Sequence, residues 1–162
     1  MAAVIIYMSL HGCAEKAAVM LSKISWKEVD LVNLREHPPP DLGKYDTVII
    51  GGSIHMETIQ DKIKKFCNEN EQELLGKRLG LYLCHIYEGE SALIQFRNAY
   101  TKKLRDHAVA KGLFGGELNI EKMSPYEKSL MKKAGGVDKN ISRINQQAIE
   151  GFGRVIFHLD KS

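Results

Sequence analysis

Three short segments combine glycine with polar or aromatic side chains in patterns that could do chemistry. The first, Ser9-Leu10-His11-Gly12-Cys13-Ala14, suits an anion. A tight turn at a helix N-terminus aims successive backbone N–H groups at one point, where the helix dipole favours negative charge. Gly12 lets the backbone approach closely, Ser9 supplies a hydroxyl donor and His11 a ring N–H. A phosphate monoester fits that donor set, although an ordinary strand-to-helix connection carrying a glycine satisfies the same pattern. No GxxxxGK(S/T) and no GxGxxG occurs, which leaves a P-loop nucleotide site and a dinucleotide fingerprint without support.

The second segment is Gly51-Gly52-Ser53-Ile54-His55-Met56. Read as a loop, its paired glycines permit unusual backbone angles and expose N–H groups, while Ile54, His55 and Met56 form an apolar wall for a flat ring. The third, Cys84-His85-Ile86-Tyr87-Glu88-Gly89, offers Tyr87 either for stacking on a ligand or for packing at a rim.

The elements that must position these segments follow from hydrophobic periodicity. Ala2–Met8 is almost wholly apolar and rich in β-branched residues, the pattern of a strand buried on both faces. From Ala14 onward, Ala17, Ala18, Leu21 and Ile24 recur at helical spacing. Trp26–Val32 predicts a second strand at a sheet edge, and the three prolines that follow exclude a helix interior or a central strand. Asp46–Ile50 predicts the third strand, Ile59–Leu75 a helix, and Arg78–His85 the fourth strand. Ser91–Leu104 predicts a helix through Leu93, Phe96, Tyr100 and Leu104, and Lys111–Ile120 a weaker strand broken by Gly115-Gly116. A short basic helix ends at Gly135-Gly136, and Arg143–Leu159 predicts a closing helix.

Strands alternating with helices predict an α/β fold. The expectation is a three-layer α/β/α sandwich on a five-stranded parallel sheet in order 2-1-3-4-5, with residues 1–162 forming a single domain. In that order the first and third strands are neighbours, and ligands bind outside the carboxyl ends where strand order reverses. The first two chemical segments therefore share one crevice.

Composition narrows the function classes. With 44% hydrophobic and 27% charged residues the chain is neither a disordered tail nor a membrane protein, and no apolar run approaches the roughly 18 residues of a membrane helix. The N-terminus lacks a basic flank and a cleavage site, so a soluble cytoplasmic protein is expected. Cys13, Cys67 and Cys84 show neither CxxC nor Cys/His ligand spacing, which argues against a disulfide framework and a metal site. The net charge of +3 is uneven: residues 1–96 carry 10 Lys+Arg against 13 Asp+Glu, and residues 97–162 carry 13 against 7. Tyr126, Leu130 and Met131 interleave with Lys128, Lys132 and Lys133, so residues 124–133 read as a helix that either meets an acidic lipid surface transiently or packs into the domain. Aromatic and basic residues form no nucleic-acid motif, and nothing sets an oligomeric state.

IIYMSLHGCAEKAA, DTVIIGGSIHMETI and LYLCHIYEGE, in this order and at these intervals, resemble the three flavin-binding loops of the flavodoxin family. YDTVIIGGSIHM and LFGGELNIEKMSPYEKSLMKKAGGVDKN resemble more specifically the branch that includes menaquinone-dependent protoporphyrinogen dehydrogenase. The resemblance implies non-covalent FMN and electron transfer with a redox partner protein or quinone, or a porphyrinogen-linked oxidoreductase, with no residue acting as a catalytic acid or base. It places the phosphate on Ser9, Leu10, His11, Gly12, Cys13 and Ala14. One side of the ring falls to Gly51, Gly52, Ser53, Ile54 and His55, with backbone groups near Gly52 and Ser53 at its N5 edge, and the other side to His85, Ile86, Tyr87 and Gly89. The family's phosphate loop reads Ser/Thr-x-Thr-Gly-x-Thr. Here Ser9 and Gly12 keep it, whereas His11 and Ala14 replace both threonines and remove two hydroxyl donors. That departure motivates an alternative, a flavin-free interaction or signalling module on the same fold. Cys13 and Cys84 are expected to pack rather than react. Shuttle flavodoxins are strongly acidic, and an isoelectric point of about 8.7 points away from them.

Overall fold

A computed structural model describes residues 2–9, 12–55, 58–85, 89–118, 125–126, 129 and 141–158. Its layers arise from the alternation of side chains along three central strands: β1 (Ala2–Tyr7), β3 (Tyr45–His55) and β5 (Arg78–Cys84). Val4, Ile6, Val48, Ile50, Leu79, Leu81 and Leu83 point into one apolar layer, and Ala3, Ile5, Tyr7, Ile49, Tyr82 and Cys84 into the other. Strands buried on both faces need no polar alternation, which is why AAVIIY and RLGLYLC read as continuous apolar runs.

The strands run in the order β2-β1-β3-β5-β6, all parallel, with β2 at Val29–Asn33 and β6 at Ala110–Leu113. This is the expected five-strand arrangement, with β2 on the predicted edge. A two-residue strand, β4 (Thr58–Ile59), folds back antiparallel on Ile54 and His55 and adds a sixth member. Beyond β6, β7 (Glu117–Leu118) pairs antiparallel with β8 (Ile141–Ser142).

One face is covered by α2 (Asp61–Glu69), α3 (Glu71–Leu74), α4 (Glu90–Ala99) and α5 (Lys102–His107), which contribute Ile63, Phe66, Leu74, Phe96 and Leu104 to the first layer. The other is covered by α1 (Cys13–Ile24) and α6 (Gln146–Ile156), through Ala14, Ala17, Leu21, Ile149, Phe152 and Ile156. The carbonyl end of α6 is held by Arg78, whose Nε and Nη2 donate to Ile156 O (2.9 Å) and Val155 O (2.6 Å). Trp26 Nε1 donates to Phe157 O at 2.9 Å just beyond it.

Two predicted helices are each split. The 59–75 stretch breaks at Asn70, whose Nδ2 donates to the Phe66 carbonyl at 2.9 Å. The 91–104 stretch breaks at Tyr100, which leaves the helix to place its hydroxyl 2.6 Å from Tyr82 O, and Thr101 then caps α5. The buried face of α4 is consequently Ala92, Gln95, Phe96 and Ala99, and Leu93, predicted inward, lies half exposed on the outside. The strand expected over 111–120 ends at Leu113 because Gly115 adopts φ 73° and turns the chain.

Candidate functional site

The register of the central strands brings the three chemical segments to one level at the carboxyl edge of the sheet. Tyr7 pairs with Gly51, Gly51 with Tyr82 and Ser53 with Cys84. Adjacent parallel strands lie about 4.8 Å apart, so chain leaving β1, β3 and β5 emerges side by side.

At the end of β1, Ser9 is buried and its Oγ accepts the Gly12 N–H at 2.7 Å. Gly12 is the N-cap of α1, with φ 91° in the left-handed region, and no side chain caps the helix. Among the described residues, none lies within 4 Å of a Cβ placed on Gly12. The first turn of an α-helix has N–H groups without intrahelical acceptors. With the Ser9 hydroxyl and the dipole they form an oxyanion cradle, and the donor set fits a phosphate monoester. Leu10 and His11 lie outside the described residues. Ala14 and Cys13 are buried, and Tyr82 Oη donates to Ala14 O at 2.8 Å, fixing the first turn to the sheet.

The segment following β3 corrects the sequence reading. Gly51 and Gly52 belong to the strand, which continues to His55, and neither has positive φ. Their glycine identity serves packing. A Cβ on Gly51 would sit 1.9 Å from the Tyr82 ring, and one on Gly52 would sit 2.7 Å from Ile59 and 2.8 Å from Gln60. Gln60, which sequence reasoning missed, ties two of the segments together. Its Oε1 accepts the Ser53 N–H at 3.0 Å, and its Nε2 donates to Met8 O at 3.0 Å. The Ser53 N–H, expected at the flavin's N5 edge, is thus already engaged within the fold. Ile54 is half-buried against the core, His55 pairs with Thr58 across the β3–β4 ladder, and Met56 lies outside the described residues.

After β5, His85 is buried and its N–H donates to Gly115 O at 2.8 Å. Gly89, with φ 69° and no described residue within 4 Å of its Cβ position, precedes α4. Ile86 and Tyr87 lie outside the described residues. Gly115 is a second feature the sequence reading undervalued. A Cβ there would fall 1.8 Å from Arg143 O, and its carbonyl also faces the Cys13 thiol at 4.0 Å. It is a crossing point of backbones, where only glycine fits.

Cys13 and Cys84 meet beneath the cradle. A hydrogen bond with the Cys13 thiol and then burial push the Cys84 thiol well above the usual cysteine range, while the Ser53 hydroxyl pulls weakly the other way. Neutral, buried thiols are poor nucleophiles, so the pair is packing material. Tyr7 donates to Glu15 Oε1 at 3.3 Å, and burial followed by the Glu15 charge raises its hydroxyl to about 12. Of residues 124–133, the structure describes 125, 126 and 129, and Tyr126 is exposed. Among the described residues no helix is long and apolar enough to cross a membrane.

The sequence matches the flavodoxin domain family over residues 4–142. No curated protein is similar enough in sequence to stand as a relative. Among solved structures, oxidised flavodoxin 1 from Bacillus cereus is 17% identical, with each chain fully covered and a TM-score of 0.57. The two-electron reduced flavodoxin of Megasphaera elsdenii is 19% identical over 82% of this chain and 97% of that one, TM-score 0.56. A WrbA-like flavodoxin from Agrobacterium tumefaciens is 14% identical over 99% of both, TM-score 0.59. At these identities the structures speak for the fold, and the match over residues 4–142 speaks for descent: the chain belongs to the flavodoxin domain family.

Proposed function

We propose that the crevice at the carboxyl ends of β1, β3 and β5 holds FMN and that the protein works as an electron-transfer flavoprotein. FMN and electron transfer accord with membership of the flavodoxin domain family. The observation that carries the placement is the cradle, where the Gly12 N–H is held by Ser9 Oγ, Gly12 takes a left-handed turn, and the Ser9 hydroxyl adjoins the first-turn N–H groups at the start of α1, which no side chain caps. FMN, when bound, supplies one- and two-electron transfer.

The chain's own residues bind and orient. Ser9 and the first turn of α1 hold the phosphate, assisted by His11. Ile54 and His55 on one side, and the 85–89 segment with His85, Ile86, Tyr87 and Gly89 on the other, flank the ring and exclude water from it. Gln60 keeps the Met8 and Ser53 backbones in fixed relation, so phosphate and ring sites move as one body. Cys13 and Cys84 fill the floor.

For the partner, the stretches YDTVIIGGSIHM and LFGGELNIEKMSPYEKSLMKKAGGVDKN and the basic excess after residue 96 support a quinone- or porphyrinogen-linked oxidoreductase over an acidic-type shuttle. Titrating the purified protein with FMN tests the main reading: a perturbed flavin spectrum and quenched fluorescence are expected, and no binding at high FMN would overturn it. Mixing the reduced flavoprotein with a quinone, and assaying porphyrinogen oxidation separately, tests the partner. Failure of both leaves the shuttle.

A further inference from the structure

Trp26 is the chain's single tryptophan, and it stands 71% exposed. Tryptophan is highly buried on average, so this exposure calls for a reason. Its polar atom does not supply one, because Nε1 already donates to Phe157 O at 2.9 Å. The bond fixes the side chain and leaves apolar ring facing water.

The surface around the ring is built by two helix ends. α1 and α6 finish against each other, where a Cβ on Gly153 would sit 3.1 Å from Ile24, and Arg78 grips the last carbonyls of α6. Val155, 41% exposed, stands in the turn that leads to the Phe157 carbonyl holding Trp26, so a second apolar side chain joins the patch. Charge is divided across it. On the helix side, Lys23 and Arg154 are exposed in the last turns of α1 and α6. On the strand side, Glu28 and Asp30 are exposed on the chain entering β2, and Asp30 accepts from Tyr45 Oη at 2.7 Å. Lys27 turns inward instead, its Nζ 3.1 Å from Thr47 Oγ1 and 3.6 Å from Asp46 Oδ1. Among the described residues no ion pair joins Lys23, Arg154 or Glu28 to any neighbour.

A patch that is apolar at its centre, basic on one flank and acidic on the other is complementary to itself. Turned by half a rotation about Trp26, it sets ring beside ring and the basic flank of one copy on the acidic flank of the other. A lipid surface or a partner of one sign would attract one flank and repel the other. We propose that this surface is a homodimer interface, isologous and centred on Trp26, with Glu28 of one copy opposite Arg154 of the other. So small a patch gives weak, concentration-dependent association. It lies at the amino edge of the sheet, where Glu28 O accepts the Ala3 N–H at 3.1 Å, so the carboxyl edges of both copies point away from the contact. The inference is independent of the FMN reading.

Sedimentation velocity from about 1 to 300 µM tests it, with the emission of Trp26 as a built-in reporter. Wild type should pass from monomer to dimer over that range while its emission shifts to the blue. Trp26→Ala should weaken association by about tenfold or more. Because that variant also loses the bond to Phe157 O, two charge reversals carry the decision. Glu28→Arg and Arg154→Glu should each weaken association by about tenfold, since each change counts twice in an isologous pair, with thermal melts close to wild type. The double variant restores opposite charges between copies and should regain most of the affinity. No ion pair joins the two residues within one copy, so that recovery arises only across the interface. Wild type that stays monomeric to the highest concentration overturns the proposal, as does a double variant no better than the single ones. A blue shift induced by anionic phospholipid vesicles in dilute, monomeric protein assigns Trp26 to a lipid surface and overturns it too.

Discussion

Replacing Gln60 by Leu probes how the crevice is held together. Gln60 is 7% exposed and makes two 3.0 Å bonds, accepting from Ser53 N–H and donating to Met8 O. Leucine keeps most of the volume and strands both backbone groups. A buried group left without its partner costs about 1–3 kcal/mol. Ser53 and Met8 are half-buried, so water recovers part of that, and the expected loss is about 2–3 kcal/mol. For a chain of this size each kcal/mol moves the melting temperature by about 2–4 °C, so melting should fall by about 4–12 °C. Gln60→Glu is the sharper control. The introduced carboxylate still accepts from Ser53 but faces the Met8 carbonyl oxygen, and protonation restores the donor. Its pKa in the folded state is therefore raised, so the stabilising bond is fully present below the unfolded carboxyl's pKa and is lost as pH rises through the folded one. Differential scanning fluorimetry at about pH 4 and pH 7, each against wild type, reads both effects. A Gln60→Leu melt within about 2 °C of wild type, or a Gln60→Glu deficit independent of pH, would refute the bridge.

Gly51→Ala should cost about 3 kcal/mol in urea unfolding. Its Cβ lands 1.9 Å from a Tyr82 ring pinned by Ala14 O and stacked 4.8 Å from Phe114, and combining it with Tyr82→Leu should recover part of the loss. Ser9→Ala should weaken FMN by about 1.5–3 kcal/mol, read by fluorescence titration, through loss of a charge-assisted hydrogen bond; unchanged affinity would mean the phosphate sits elsewhere. Burial, then the Glu71 charge, raises the Cys67 thiol from 9.0 to about 12, and a hydrogen bond to Asp30, then burial, raises Tyr45 from 10.0 to about 12. Their stabilising contribution is complete below about pH 9 and is lost as pH rises toward 12, so urea midpoints should fall across that window. Cys13, Cys67 and Cys84 are all buried, and a thiol reagent at pH 8 should label them only after unfolding.

Much of this was legible in the sequence because parallel sheets bury whole strands. AAVIIY and RLGLYLC, short apolar runs rich in β-formers, read as buried strands, and their alternation with helices pointed to a parallel sheet, whose order is the one expected of a doubly wound five-stranded fold. Gly51-Gly52 misled because a glycine pair looks the same whether it frees the backbone or makes room for another side chain, and only the Tyr82 ring across the ladder distinguishes the two. Leu93 misled because a helix window running through Tyr100 averages over a break that a distant carbonyl imposes. Ser9 and Gly12 were readable from residue type and position. Gln60 was not, because a glutamine before a helix acquires its role through Met8 and Ser53, contacts made only once the sheet has assembled.

The two covers of the sheet have different folding histories built into them. The α2–α5 side is made from residues 61–107, close in sequence to the strands they cover. The α1 side is finished only by α6, whose Ile149, Phe152 and Ile156 share one apolar cluster with Ile5, Ile49 and Tyr82, Phe152 meeting the Tyr82 ring edge-on, and whose carbonyl end is gripped by Arg78, 78 residues from its Nε partner. Contacts at such separations pay their loop-closure entropy before they return anything. During synthesis one face of the sheet can close while the other, covered only in part by α1, keeps apolar surface open until residues 146–157 arrive. That interval, rather than any weakness of the finished fold, is when the chain is most exposed to aggregation.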